Sequence, residues 1–141
     1  MGNPRTARAT APEELSRAEC LRLLRRHSLG RVAYTDHALP AIAPVNYAVD
    51  GDTIVFRTAA GTRLAAGTRD AVVAFEVDES DPVQRMGWSV VVVGVASEVP
   101  SSASGRPAVE LALAPWAAGE RNRFVRITPT IVSGRRTNGA A

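Results

Sequence analysis

Leu15, Ala18, Leu21 and Leu24 recur at spacings of three within a charged stretch, which predicts a helix over Glu13 to His27 with one buried face. Gly30 ends that region. From Arg31 the period changes to two. Val32-Ala33-Tyr34 reads as a strand, Asp36-His37 as a turn, and Leu39 to Val49 as the returning strand. Pro40 and Pro44 confine that strand to an edge or a bulge, because proline has no amide hydrogen for a ladder. Asp50-Gly51-Asp52 is a hairpin turn, and Thr53 to Thr58, β-branched and aromatic, is the third strand.

Ala59 to Thr68 breaks the alternation and fits a short helix. Ala71 to Val77 is a fourth strand, ending in the acidic turn Asp78 to Pro82. Trp88 to Val99 is long and valine-rich, with Gly94 permitting a bend or bulge. Ser101 to Gly105 reads as a polar loop and Ala108 to Ala114 as a short helix stopped by Pro115. Phe124 to Val132 gives a closing strand or pair of strands, and a polar tail begins at Ser133. These elements add up to a mainly β chain, an antiparallel β-barrel with a few peripheral helices. A doubly wound nucleotide fold is excluded by the lack of alternating strands and helices. The expected organisation is one domain over 13–134, between a disordered tail at 1–12 and a C-terminal tail at 135–141.

Composition narrows the chemistry. No run approaches the roughly 20 apolar residues that span a bilayer, so no membrane partner is expected. Met1 to Pro12 lacks the apolar centre of a secretory signal, which makes a cytoplasmic location the expectation. A single cysteine, Cys20, rules out an internal disulfide and a Cys-rich zinc site, and its place in the helix reads as a packing contact. All 17 Lys-or-Arg positions are arginine, which excludes a Schiff-base mechanism. Arg17, Arg22, Arg25 and Arg26 form a solvated helix face; no aromatics interleave for base stacking, so no nucleic acid is expected. His27 and His37 stand apart at a helix end and a turn, and Asp78, Glu79 and Asp81 lack a calcium-loop pattern, so no metal site is assigned.

The most informative stretch is Phe56-Arg57-Thr58-Ala59-Ala60-Gly61-Thr62-Arg63-Leu64. A strand delivers Arg57 and Thr58, the chain turns at Gly61, and Thr62-Arg63 open a short helix. Hydroxyls, free amides and a guanidinium that can grip two oxygens make a phosphate cradle. A capped surface helix with a solvated arginine is the alternative. The stretch is not a P-loop, since the Gly-Lys-Ser/Thr ending is missing.

Gly30-Arg31-Val32-Ala33, Pro44-Val45-Asn46-Tyr47, Phe56-Arg57-Thr58 with Gly61-Thr62-Arg63-Leu64, Phe75-Glu76-Val77-Asp78 and Gly87-Trp88-Ser89-Val90 occur in that order. Together they resemble the short actinobacterial-type branch of pyridoxamine 5′-phosphate oxidase-like proteins, over Leu15 to Val99 and more weakly at Pro115-Trp116-Ala117 and Ser133 to Arg136. The resemblance implies a split β-barrel that binds FMN at the interface of a homodimer. It places the phosphate on Thr58, Thr62 and Arg63, with Arg57 joining if its strand register allows. It lays the flavin ring along Pro44, Val45 and Asn46, where Pro44 cannot donate and Val45 and Asn46 can. Trp88 and Ser89 fall at the cofactor region, although Trp88 equally suits a barrel core, and Trp116 either covers the pocket or packs a helix end.

The implied activity is a flavin-dependent oxidoreductase with a small-molecule substrate; a non-catalytic flavin module would show the same sequence. The chain departs from true pyridoxamine-phosphate oxidases at Leu64, where they carry a second basic residue, and in lacking their Arg-x-His substrate grip. Relatives that use the deazaflavin F420, or bind haem, leave F420 as the alternative cofactor. No catalytic acid or base is assigned, Tyr34 and Tyr47 being as well explained by packing.

Overall fold

The computed structural model describes residues 12–100 and 122–138. The chain runs β1 (Glu13–Glu14), α1 (Arg17–Arg25), β2 (Leu29–Asp36), β3 (Leu39–Asp50), β4 (Thr53–Ala59), α2 (Arg63–Gly67), β5 (Ala71–Asp81), β6 (Met86–Glu98) and β7 (Asn122–Thr137). The sheet order is β1-β7-β4-β3-β2-β5-β6, and a further β6–β7 pairing closes it into an antiparallel barrel with β1 outside the ring. The predicted helix and loop between Ser101 and Pro115, Trp116 and the N-terminal tail lie outside the described residues.

Helix α1 begins later than the periodicity predicts. Ser16 caps it, its hydroxyl accepting from the Glu19 amide at 3.2 Å. Glu19 stands three residues on, the spacing of a capping box. Ahead of the cap, Glu13 and Glu14 pair with Arg136 and Arg135 of β7, opposite charges facing across a ladder. The helix buries Cys20, Leu21, Leu23 and Leu24 against the barrel. The Tyr47 hydroxyl donates to the Leu24 carbonyl at 2.6 Å, locking the helix end to β3.

Inside the barrel Val32, Ile54, Phe56, Phe75, Val90, Val92 and Ile127 are buried, alternating with outward residues as half-buried strands require. Tyr47 meets Phe75 edge-on, with ring centroids 4.8 Å apart. The register shifts between Val93 and Gly94, where β7 carries Thr130 as an extra residue, so the irregularity faces Gly94 across the seam while its bulged strand is β7. Closure depends on it, because Gly94 packs onto the Thr128 and Pro129 backbone of β7.

Two strands run further than their sequences predict. β5 continues through Asp81, pairing Asp78 to Asp81 with Ser89 to Met86. The acidic residues are therefore strand, and the turn lies later, at Pro82 to Arg85, where the Asp81 carboxylate accepts the Val83 and Gln84 amides at 3.0 and 3.2 Å. β7 continues through Thr137, so the residues read as a polar tail from Ser133 form a ladder with β6.

Strand β3 has a divided role. β2 pairs with it from Leu39 to Asn46, but the β4 ladder begins only at Tyr47. The Tyr47 amide donates to Ser28, toward β2. By alternation Ala43 and Val45 also turn their main chain to β2, while Pro40, Ile42, Pro44 and Asn46 turn theirs to the side without a partner strand. The prolines thus sit on an open edge, as their residue type demands.

Outside the barrel, Ile42, Ala33, Ala74, Val93 and Ile131 are successive cross-strand partners across β3, β2, β5, β6 and β7. This apolar row faces solvent, with Ile42 71% and Ile131 57% exposed.

Candidate functional site

The end of β4 and the start of α2 bring two of the expected phosphate residues together. Thr58 is the buried last inward residue of β4, and its Oγ1 lies 3.0 Å from Thr62 Oγ1. Thr62 is the N-cap of α2, accepting the Ala65 amide at 3.1 Å and donating to the Ala59 carbonyl at 2.8 Å. With that proton committed, Thr58 is the donor between the two hydroxyls. Both hydroxyl protons are held inside the turn, and Thr58 must rotate to offer its own to a ligand. Arg63 follows, its side chain 83% exposed, with Nε 3.7 Å from Asp36 Oδ2. The guanidinium therefore carries most of the anion-binding capacity here. α2 spans only Arg63–Gly67, too short for a helix dipole to add much.

Asp36 escaped the sequence reading except as part of a turn. Its other oxygen lies 2.7 Å from His37 Nδ1, so one carboxylate ties the β2–β3 turn to Arg63. The signal was absent because the two residues meet only through the docking of α2 on β2.

Arg57 points elsewhere. Its neighbours Phe56 and Thr58 face inward, so Arg57 faces out, stacked over the Phe124 ring at 5.4 Å in a cluster with buried Val55 and Val99. On β3, Val45 is buried in the core with its main chain turned to β2, whereas Asn46 is exposed and turned to the open edge. Of the three residues expected to flank the ring, Asn46 alone combines an amide hydrogen with that edge; Pro44 offers only its carbonyl.

Trp88 and Ser89 do not join the cradle within one chain. From β4 they are four strands away in the order β4-β3-β2-β5-β6, roughly 19 Å of sheet at the usual strand spacing. Through β7 the route has fewer strands, but Arg123 opposite Thr58 and Arg136 opposite Trp88 stand at opposite ends of that strand. Trp88 instead packs half-buried against the core and His27, ring centroids 4.9 Å apart. A cleft of about 300 Å³ opens beside it, between the β5–β6 hairpin and the end of β7.

The remaining titratable groups take structural parts. Burial pushes the Tyr47 hydroxyl well up, and its bond to Leu24 completes a packing role. Burial, with the Glu19 charge nearby, raises the Cys20 thiol, so the sulfur stays protonated and inert. Among the described residues no cluster of His, Cys, Asp and Glu is placed to hold a metal, and no helix is long and apolar enough to cross a membrane.

Glu76 differs from the rest. Burial pushes its carboxyl up to about 7, aided by the hydrogen bond and charge of Asp78 and opposed by Arg31, whose Nη1 is 3.4 Å away. A carboxyl raised in the fold adds stability below its unfolded value and loses it as pH rises through about 7. Glu76→Gln should thus melt above wild type near pH 8 and level with it near pH 4, by about 1 kcal/mol once solvent screening is allowed for. Thermal melts across pH check this; equal gains at both ends would refute it.

Residues 16–136 match the family model described as pyridoxamine 5′-phosphate oxidase. The chain belongs to the pyridoxamine 5′-phosphate oxidase family. An uncharacterized protein of Mycobacterium tuberculosis is 40% identical over 139 residues, covering 95% of this chain and 90% of that protein. Among solved structures, the FAD binding protein from Mycobacterium smegmatis is 40% identical with a TM-score of 0.80, covering 89% of this chain and 98% of that one. A FAD-binding protein from Mesorhizobium loti is 27% identical with a TM-score of 0.74, covering 91% of this chain and 99% of that one. For a pyridoxamine 5′-phosphate oxidase family chain, the split-barrel expectation and the mainly β fold agree. Leu64, the departure noted in the sequence, packs against the barrel core, so it has no place for a charge.

Proposed function

We propose that this chain is a flavin-binding homodimer that serves as an oxidoreductase toward a small-molecule substrate. The observation that carries the reading is the convergence of Thr58, Thr62 and Arg63 beside the open β3 edge. There an arginine fork and hydroxyls suit a phosphate, and Asn46 offers a main-chain amide to the polar rim of a planar ring. Two relatives named as FAD-binding proteins support it, one of them 40% identical. The flavin supplies the redox chemistry, and the chain binds and orients it. Arg63 holds the phosphate once it exchanges Asp36 for the ligand, and Asp36 keeps the guanidinium near the cradle until then.

FMN is the form that the family resemblance implies, and the relatives' names favour FAD. Both carry a riboflavin unit with a phosphate on its ribityl chain, which is what this cradle reads. Heating the purified protein and weighing the released chromophore separates FMN, FAD and F420. A deazaflavin, or no chromophore even after incubation with FMN and FAD, would overturn the reading. Turnover of the loaded protein with NADH or NADPH tests the oxidoreductase part.

The dimer is proposed on the outer row from Ile42 to Ile131, extended by the exposed pair Val72 and Val95. An apolar band across several strands is surface that a second copy would bury. A glutamate introduced there would be buried without a partner, at a cost of about 3 kcal/mol or more. Light scattering at micromolar concentration should show a dimer for wild type and a folded monomer for Ile42→Glu with Ile131→Glu. A wild-type monomer that still carries flavin would sink the proposal.

A further inference from the structure

Between β2 and β3 the chain reverses through His37 and Ala38, both in the left-handed region at φ 49° and 68°, as a tight hairpin turn requires. That turn sets the His37 imidazole against the neighbouring Asp36, Nδ1 to Oδ1 at 2.7 Å. Helix α2 closes in from the other side. Gly67 lies so near β2 that a Cβ there would meet the Tyr34 ring and the Thr35 carbonyl. This docking places Arg63, at the start of α2, with its Nε 3.7 Å from Asp36 Oδ2. One carboxylate is thus shared between a permanent cation and a titratable one.

The two contacts differ in kind. The histidine contact has the length of a hydrogen bond, whereas the arginine contact is Coulombic. Only 22% of the Asp36 side chain is exposed, so its charge is less screened than that of a free surface carboxylate. An imidazole is the side chain that changes charge between about pH 5 and 8. Once charged, His37 competes with Arg63 for the carboxylate and adds a positive charge beside the cradle. Both effects favour an anion at Arg63. From β3, the residue opposite Asp36 is the uncharged Leu39. Arg69 and Asp70, which follow α2, are exposed and offset each other in charge. Arg123 of β7 stands opposite Thr58 but is held by Glu98 at 3.1 Å.

We infer that His37 and Asp36 form a proton-linked switch on Arg63, in which protonation of His37 draws the carboxylate off the guanidinium and frees it for a flavin phosphate. By linkage, phosphate binding takes up a proton from solvent, and affinity rises as pH falls through the imidazole range. The switch rests on the flavin reading, since it acts on the phosphate that Arg63 would hold. Exposed ion pairs are weak, so the expected change is about two- to fivefold.

Fluorescence titrations of FMN, FAD and riboflavin into the full chain, at low salt and at about pH 6 and about pH 8.5, test the switch. The variants are His37→Asn and Asp36→Asn. Asparagine tolerates the φ of 49° at the turn and takes up no proton. The FMN phosphate itself loses charge near about pH 6, so wild-type affinity is read as a ratio to His37→Asn, in which the ligand's own titration cancels. For FMN and FAD that ratio should be about two- to fivefold higher at the lower pH, and for riboflavin it should be flat. Asp36→Asn should bind FMN and FAD about two- to fivefold more tightly than wild type at the higher pH, and equal it at the lower. Circular dichroism verifies the folds, and either variant decides by itself if the other fails to fold. A flat ratio with FMN or FAD bound overturns the switch alone, as does a riboflavin ratio that changes equally. Weaker binding by folded Asp36→Asn at the higher pH also overturns it, since the carboxylate would then support Arg63 and not compete for it. Wild type that binds neither FMN nor FAD overturns the flavin reading and the switch together.

Discussion

Gly94→Ala should destabilise the barrel by about 3 kcal/mol or more, the largest effect expected of a single methyl group in this chain. The added Cβ would land on the Thr128 carbonyl oxygen, with the carbonyl carbon at 2.8 Å and Pro129 Cα at 3.0 Å. Every one of those atoms is backbone, so no side chain can swing aside. The glycine also sits at the register shift of the β6–β7 seam, and that seam closes the ring. Relief would require β7 to move away, breaking the ladder on both sides of the bulge. The melting temperature should fall by roughly 10 °C, given about 3–4 °C per kcal/mol at this size. Gly51→Ala is the comparison, with nothing within 4 Å of the new methyl and a φ of 60° as its only penalty. It should cost about 1 kcal/mol. If Gly94→Ala melted no lower than Gly51→Ala, the close approach at the seam would be wrong.

Arg63→Ala should weaken FMN or FAD binding by about ten- to a hundredfold, while leaving the fold intact. The side chain is 83% exposed and its Nε is 3.7 Å from Asp36, so little packing is lost with it. The burden on this residue is heavy because Thr58 and Thr62 hold their protons inside the turn. Arg63→Lys should recover only part of the affinity, keeping the charge without the fork. Riboflavin, which lacks the phosphate, should bind wild type and Arg63→Ala almost equally. Arg69→Ala removes an exposed arginine just past α2 and should change nothing. Fluorescence titrations of each flavin into each variant make the measurement. A riboflavin affinity that falls as far as that of FMN would show that Arg63 supports the ring or the fold and not the phosphate.

The strands that the sequence revealed by alternation are those with one wet face and one dry face. β2 and β3 alternate because Val32, Val45 and Tyr47 enter the core while their neighbours do not, whereas β4, with Ile54, Val55 and Phe56 all buried, shows itself by its β-branched and aromatic residues. The misplaced ends lie where that contrast vanishes. Asp78 to Asp81 and Arg135 to Thr137 are in a ribbon beyond the barrel, largely exposed whichever way they point, so pairing leaves no apolar trace. The periodicity predicts α1 too long at its start because Leu15 is buried like a helix residue while belonging to the segment ahead of the cap. In the candidate site, Thr58 and Thr62 were legible because a strand end and a helix cap lie four residues apart. Arg57 could be placed only by strand parity, and Asp36 only by a contact between distant segments.

The free side of β3 carries a further consequence. An exposed strand edge ordinarily templates more strand, and that is how folded domains recruit one another into fibrils. Between Leu39 and Asn46 the outward-turned positions are Pro40, Ile42, Pro44 and Asn46, and half of them have no hydrogen to donate. An incoming strand needs an unbroken ladder and meets a gap at every other rung. A flat molecule with one or two acceptors needs only a single rung, and Asn46 provides it. The same two prolines that interrupt the edge as a template for another strand leave single amides on it, and the proposed ring would need no more than one of them.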